Sequence, residues 1–178
     1  MAAPRGARIV DPAMADNGKL YSGFSDEYVA QMKSLCAEAD VLIPNITEAC
    51  LLTDTPYSAE PDEKFVTDLL KKLSELCSCV ILTGVGYEPA ETGAVVYRDG
   101  KQWRYVQKKI SKSYHGTGDI FSSTCVGGLV RGLPMMDAVK LAADYTAECI
   151  RLTLLDPAET WYGVNFEQAI PFLVRRMA

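Results

Sequence analysis

Apolar positions along the chain alternate between two spacings, which predict strands and helices in turn. Short unbroken apolar runs bounded by proline, asparagine or glycine are typical of buried strands, whereas apolar residues three and four apart predict amphipathic helices. The predicted strands lie at residues 7–10, 41–43, 80–83, 94–97 and 102–106. The predicted helices lie at residues 25–36, 47–52, 65–76, 120–129 and 137–150 and from residue 165 onward.

Strands that alternate with helices favour an α/β fold. We expect a three-layer α/β/α arrangement with a mostly parallel sheet, in a single domain that spans residues 1–178. The strands on either side of Asp99-Gly100 are the exception, because this dipeptide is a strong hairpin signal. Residues 13–23 are predicted to be a plain loop. Leu35 is assigned to the buried face of its helix, and Pro171 is expected to shorten or kink the last helix.

Composition excludes several classes of partner. The 178 residues are 48% hydrophobic and 23% charged, with a net charge of −5. Such a chain lacks the basic surface that binds nucleic acid, and no apolar run has the length of a membrane span. The six cysteines lack paired metal-binding spacing and the first residues contain no apolar signal core, so we expect reduced thiols and a cytoplasmic location. His115 is the only histidine, which leaves little material for histidine metal sites.

A glycine-rich segment that ends in an aspartate carries the sharpest chemical signal. Gly116 and Gly118 flank Thr117, Asp119 follows, and an apolar helical face begins at Ile120. Such a loop brings free backbone N–H groups and the positive end of a helix dipole to one point, which favours anion binding. An aspartate beside a phosphate is explained if it takes the proton of an attacking hydroxyl. The alternative is an ordinary loop in which the aspartate only complements the helix dipole.

Polar residues also follow three of the predicted strands. Asp11 follows the first strand, Asn45 follows the second, and Thr83 and Gly84 end the third. Because ligands of parallel sheets bind at the carboxyl ends of the strands, we expect these residues to converge with the glycine-rich segment. Each signal alone has an ordinary alternative. Asn45 and Glu48 could simply form a capping box at the start of a helix.

Four motifs in this order resemble the ribokinase-like superfamily, and within it most closely the vitamin B6 kinases. They are Asp11-Pro12-Ala13-Met14-Ala15-Asp16, Pro44-Asn45-Ile46-Thr47-Glu48, Leu82-Thr83-Gly84 and Gly116-Thr117-Gly118-Asp119. The resemblance runs from Ile9 to the C-terminus. It implies ATP-dependent phosphorylation of the hydroxymethyl group of pyridoxal, pyridoxamine or pyridoxine, with Mg²⁺ as cofactor.

The resemblance implies a role for each matching residue. Asp119 is the catalytic base that deprotonates the substrate hydroxyl. The anion hole is formed by the backbone of Gly116, Thr117 and Gly118. The implied ATP-binding residues are Asp11, Asn45, Thr83 and Gly84, and the implied magnesium site involves Glu48 and Asp11. Residues 16–21 correspond to a mobile loop over the phosphates.

The sequence departs from the B6 kinases in two respects. Ala15 stands where those kinases usually have glycine, so we expect a stiffer loop. The fold of the family also includes a further portion before Ile9, with most of the contacts to the substrate ring. We therefore expect this chain to be the C-terminal, nucleotide-binding portion of a kinase domain. It should form a homodimer through uncovered apolar surfaces and show no vitamin turnover by itself.

Other functions stay open from the sequence. A hydroxymethylpyrimidine kinase or a sugar kinase belongs to the same superfamily, and a catalytically silent nucleotide-binding module would keep the same motifs. The residues at 114–119 and 161–166 favour the B6 kinases. A dehydrogenase is disfavoured, because no G-x-G-x-x-G motif follows an N-terminal strand.

Overall fold

The computed structural model describes residues 6–112, 114–156 and 163–177, which form two compact units. The first unit is Gly6–Gln107, and the second begins at Lys108. In chain order the strands are β1 (Ile9–Val10), β2 (Ala15–Asp16), β3 (Lys19–Leu20), β4 (Val41–Leu42), β5 (Cys79–Thr83), β6 (Glu91–Arg98) and β7 (Lys101–Lys108). The α-helices are α1 (Asp26–Cys36), α2 (Ile46–Leu52), α3 (Glu63–Leu73), α4 (Thr117–Val130), α5 (Met135–Leu155) and α6 (Ile170–Met177).

A five-stranded mixed sheet organises the first unit. Its spatial order is β1-β4-β5-β6-β7. The strands β1, β4 and β5 run parallel, and β6 pairs antiparallel with β5. Helices alternate with the parallel strands, so the predicted α/β class is confirmed. Val80, Ile81 and Leu82 are fully buried in β5, which agrees with a strand covered on both faces.

Two hairpins have the same turn chemistry, and only one of them was predicted. Asp99 and Gly100 have positive φ angles of 52° and 74° between β6 and β7, as a two-residue type I′ turn requires. Asn17 and Gly18 have φ angles of 50° and 77° between the antiparallel strands β2 and β3. The prediction of a plain loop at residues 13–23 was therefore wrong, although an Asn-Gly dipeptide is itself a hairpin signal.

One apolar core in the first unit joins strand residues to three helices. Leu42, Val80, Leu82 and Val95 from the sheet contribute to a cluster with Cys36 of α1, Leu52 of α2 and Leu69, Leu70 and Leu73 of α3. The placement of Leu35 on the buried face of α1 was wrong, because its side chain is 53% exposed. Cys36 is the only fully buried residue of α1. The buried face of this helix therefore includes fewer residues than the apolar spacing of its sequence predicted.

The described part of the second unit is helical. The predicted apolar face of α4 is confirmed by five buried residues, which are Phe121, Thr124, Cys125, Gly128 and Leu129. This helix packs on α5. The last predicted helix is divided into a 3-10 turn at Phe166–Ala169 and α6, with Pro171 as the second residue of α6. Proline lacks an N–H donor, so it is tolerated there but could not continue an α-helix from residues before it.

Helix α5 is the longest described helix and buries one side. Val139, Ala142, Tyr145 and Cys149 are buried along it, as the apolar spacing predicted. No helix of the described residues, α5 included, is long and apolar enough to cross a membrane.

All six cysteines are buried free thiols. Burial raises the pKa of Cys36 to about 12 and the pKa values of Cys79 and Cys149 to about 11. Desolvation disfavours the charged thiolate, so these thiols stay protonated at neutral pH.

Truncation of Leu69 should destabilise the first unit, because this side chain is 1% exposed in the core beneath the sheet. We expect Leu69→Ala to lower the free energy of unfolding by about 2–5 kcal/mol. Leu35→Ala is the matched control in α1 and should cost less than about 1 kcal/mol, since Leu35 already faces solvent. Urea titration of both variants measures the difference. Equal losses would contradict the assignment of Leu35 to the surface.

Candidate functional site

The carboxyl ends of the parallel strands place four of the predicted site residues at one edge of the first unit. Asp11 follows β1, Asn45 follows β4, Thr83 is the last residue of β5 and Gly84 comes directly after it. Asn45 and Thr83 pair as an isolated parallel bridge beyond the strand ends. The backbone N–H of Thr83 donates to the carbonyl of Pro44 at 2.9 Å, so the two strand exits are fixed to each other.

Asn45 and Glu48 form a capping box at the start of α2. The Asn45 side chain accepts from the backbone N–H of Glu48 at 2.9 Å, and the Glu48 carboxylate accepts from the backbone N–H of Asn45 at 2.8 Å. These bonds satisfy donors that a helix start otherwise leaves open. The ordinary explanation of this motif is therefore correct as far as it goes. It does not account for the depth at which Glu48 lies.

The Glu48 carboxylate is buried and ties a distant loop to α2. The side chain is 3% exposed. Its second oxygen accepts from the backbone N–H of Met14 at 3.1 Å, across 34 residues of sequence. Burial raises the pKa of Glu48 to about 7, with a smaller contribution from the negative charge of Asp11, while the N–H donors oppose that rise. This carboxyl therefore changes charge near neutral pH.

The hairpin of β2 and β3 is fastened to the same helix start. Asn45 donates from its side-chain amide to the carbonyl of Ala15 at 2.8 Å. Thr47 accepts from the backbone N–H of Gly18 at 3.0 Å. Ala15 is fully buried and is not among the residues with positive φ, so alanine fits this backbone without strain.

The described residues contain no group of three or more His, Cys, Asp or Glu side chains that could hold a metal ion. Magnesium does not need such a group, since it is commonly held by one or two carboxylates together with substrate phosphates and water. Asp11 and Glu48 supply hard oxygen atoms of that kind. Their role as magnesium ligands stays a prediction.

In the second unit, α4 begins at a glycine with a left-handed backbone. Gly116 is the N-cap with a φ of 79°, which favours glycine over residues with a Cβ atom. Gly116 has no side chain that could cap the first-turn N–H groups, so the N-cap residue leaves them open to a ligand. The hydroxyl of Thr117 donates to the carbonyl of Tyr114 at 3.3 Å and stabilises the turn. A Cβ atom added at Gly118 would meet no atom within 4 Å, so the backbone is open to a ligand there.

Asp119 lies in the first turn of α4 with an exposed side chain. One of its carboxylate oxygens, Oδ2, lies 3.9 Å from the position that a Cβ atom of Gly116 would take. The carboxylate therefore turns back toward the glycine cap rather than away along the helix. This places a proton acceptor beside exposed N–H donors, as a base next to a phosphoryl group requires.

The structure thus assigns the predicted residues to two local groups. Asp11, Asn45, Glu48, Thr83 and Gly84 belong to the first unit, and Gly116, Thr117, Gly118 and Asp119 belong to the second. Sequence reasoning missed the contribution of Thr47, whose only signal was its place inside the Asn-x-x-Glu motif. Of residues 161–166, Trp161 and Tyr162 lie outside the described residues.

Comparison with known proteins identifies the family of the chain. A family model described as phosphomethylpyrimidine kinase matches residues 3–163. The chain belongs to the phosphomethylpyrimidine kinase family. This confirms the resemblance at the level of the ribokinase-like kinases, but it does not separate B6 kinases from hydroxymethylpyrimidine kinases.

The proteins that this chain resembles include both hydroxymethylpyrimidine kinases and pyridoxal kinases. A hydroxymethylpyrimidine/phosphomethylpyrimidine kinase of Bacillus subtilis is 30% identical over 150 residues, which cover 82% of this chain and 54% of that protein. The crystal structure of a candidate phosphomethylpyrimidine kinase from Bacteroides thetaiotaomicron, in a form with pyridoxal, matches with a TM-score of 0.87 and 32% identity over 97% of this chain and 62% of the other. Pyridoxal kinase from Lactobacillus plantarum matches with a TM-score of 0.86 and 28% identity over 96% of this chain and 62% of the other.

The chain spans about half the length of the curated single-function kinases that it matches, such as 54% of the Bacillus subtilis hydroxymethylpyrimidine kinase. The fold similarity therefore covers nearly all of this chain and only part of its relatives.

The raised pKa of Glu48 predicts a pH-dependent stability. The pKa rises on folding from 4.5 to about 7, so the folded chain holds this proton more tightly than the unfolded chain. The stabilisation from this group is complete below pH 4.5 and is lost as the pH rises through 7. We expect the free energy of unfolding to fall by up to about 3 kcal/mol between about pH 5 and about pH 8 through this group alone.

Urea denaturation of the wild type and Glu48→Gln at both pH values tests this expectation. Glutamine does not titrate, so the variant should lose that part of the pH dependence. Glu75→Gln, at an exposed position, is the control and should retain it. A Glu48→Gln variant with the full pH dependence of the wild type would rule out Glu48 as its source.

Proposed function

We propose that this chain is the nucleotide-binding portion of a kinase that transfers a phosphoryl group from ATP to the hydroxymethyl group of a B6 vitamer. The observation that carries the proposal is the start of α4, where uncapped N–H groups and the carboxylate of Asp119 lie together at a glycine cap. Membership of a kinase family supports it.

Each local group has a part in the reaction. The backbone N–H groups of residues 116–118 stabilise the oxygens of the transferred phosphoryl group, because charge accumulates there in the transition state. Asp119 accepts the proton of the substrate hydroxyl while the oxygen of that hydroxyl forms a bond to phosphorus. The bond from phosphorus to the bridging oxygen then breaks, and ADP leaves with that electron pair.

The strand-end group of the first unit binds the nucleotide phosphates. Asn45, Thr83 and Gly84 present amide, hydroxyl and backbone groups at the carboxyl edge of the sheet, where α/β folds bind ligands. Asp11 and Glu48 are the oxygen donors that fit Mg²⁺. When bound, this ion neutralises phosphate charge.

A hydroxymethylpyrimidine kinase is the second candidate. The match to the phosphomethylpyrimidine kinase model and the Bacillus subtilis relative favour it. Both candidate substrates carry a hydroxymethyl group on a nitrogen-containing aromatic ring. The same base and the same phosphate-binding residues would therefore serve either reaction. Assays of ATP-dependent phosphorylation with pyridoxal and with hydroxymethylpyrimidine distinguish the two.

Magnesium-dependent binding of ATP is the first test of the proposal. We expect calorimetry to show tighter binding with Mg²⁺ than without it, because the ion would offset the repulsion between the phosphates of ATP and the carboxylates of Asp11 and Glu48. Asp11→Asn should weaken the binding of ATP in the presence of Mg²⁺, because it removes the negative charge of the Asp11 carboxylate. Asp26→Asn, at an exposed position in α1, is the control. Equal affinity with and without the ion would contradict the magnesium role.

Replacement of the proposed base separates chemistry from binding. In a form of the protein that turns over substrate, Asp119→Asn should lower kcat by a factor of about 10²–10⁴ and leave the affinity for ATP nearly unchanged. Asp137→Asn is the matched control, because Asp137 is also the third residue of an α-helix. Steady-state kinetics with near-normal kcat for Asp119→Asn would remove this residue from the mechanism.

A further inference from the structure

The hairpin of β2 and β3 follows directly after Asp11 and is held against the start of α2. Near its base, Met14 donates to Glu48 and the carbonyl of Ala15 accepts from Asn45. Met14 and Ala15 are fully buried, so this part of the hairpin belongs to the core. The family resemblance led us to expect a mobile loop at residues 16–21, but the base of the hairpin is anchored.

The tip of the hairpin has an anchor of its own. Thr47 is 4% exposed, and its hydroxyl oxygen accepts from the backbone N–H of Gly18 at 3.0 Å. The two residues are 29 positions apart, so this bond is a tertiary contact and takes no part in the capping box. A threonine in the first turn of a helix needs no such contact for the helix itself.

The ring of Tyr57 also lies close to the tip. A Cβ atom at Gly18 would lie 2.7 Å from the Cδ1 atom of the Tyr57 ring, and the φ of Gly18 is 77°. A side chain at residue 18 would therefore need a left-handed backbone and a shift of the Tyr57 ring, so glycine suits this position. Gly18 therefore has two tertiary neighbours, the ring of Tyr57 and the hydroxyl of Thr47.

The tip anchor acts on the groups that we assign to phosphate binding. The amide of Asn45 is held by two bonds, one to the N–H of Glu48 and one to the carbonyl of Ala15 in β2. A shift of β2 would break the second bond and leave the amide held only by the N–H of Glu48. Thr47 holds Gly18 in the turn that joins β2 to β3, and β2 carries the carbonyl that accepts from Asn45.

We propose that Thr47 is a positioning residue for nucleotide binding, which holds the β2–β3 hairpin in place before the nucleotide arrives. The proposal rests on the proposed function, because it takes ATP as the ligand of Asn45. It assigns no chemical step to Thr47. Its effect passes through the hairpin.

Thr47→Val tests the proposal, since valine keeps the shape of threonine and lacks the accepting oxygen. We expect the Gly18 amide to exchange with deuterium about threefold to tenfold faster in the variant, as the loss of one hydrogen bond predicts. ATP affinity should fall by about the same factor. Thr47→Ser retains the hydroxyl and should restore both values. NMR hydrogen exchange and calorimetry on the 178-residue chain measure them.

Thr53→Val, at the C-cap of the same helix, is the control. The hydroxyl of Thr53 donates to the carbonyl of Ala49 at 2.8 Å at the far end of α2, away from the hairpin. This variant should leave Gly18 exchange and ATP affinity unchanged even if it lowers stability. Unchanged Gly18 exchange in Thr47→Val would overturn the proposal, and so would faster exchange with unchanged ATP affinity. If the wild-type chain fails to bind ATP, the proposed function and the nucleotide role both fail, while Gly18 exchange still decides whether Thr47 anchors the hairpin.

Discussion

The buried carboxylate of Glu48 is the interaction on which the first unit depends at its functional edge. It accepts hydrogen bonds from the backbone N–H groups of Met14 and Asn45, and so joins the segment after β1 to the segment after β4. A buried carboxylate is costly unless its oxygens are bonded, and those bonds in turn fix the backbones that supply them. The edge that we assign to phosphate binding is therefore arranged around one acid before any ligand is present.

Local patterns predicted the parts of the structure that local physics determines. The turn at Asp99-Gly100, the apolar face of α4 and the buried strand β5 each follow from neighbouring residues. The hydrogen bond from Met14 to Glu48 could not be predicted in this way, because the residues around each of them give no sign of a partner 34 positions away. The hairpin at Asn17-Gly18 was missed for another reason. Its strands are two residues long, too short to show an alternating pattern.

Glu48 and Asp119, two of the three acidic residues proposed for the site, differ in exposure, and this difference suits their different tasks. Glu48 is enclosed and bonded on both oxygens, so it is suited to hold backbone in place. Asp119 is exposed beside an open glycine cap, so it is suited to meet a substrate. The sequence marks both as carboxylates at helix starts. The difference in their burial becomes visible only in the folded structure.

The six buried thiols can serve as natural probes of unfolding. Alkylation and oxidation require an accessible thiolate, and burial denies both access and charge in the folded chain. Cys36, Cys50, Cys77 and Cys79 lie in the first unit, and Cys125 and Cys149 lie in the second. The position of a labelled cysteine therefore reports which unit unfolded, without any engineered probe. The same enclosure protects the chain from oxidative damage for as long as it stays folded.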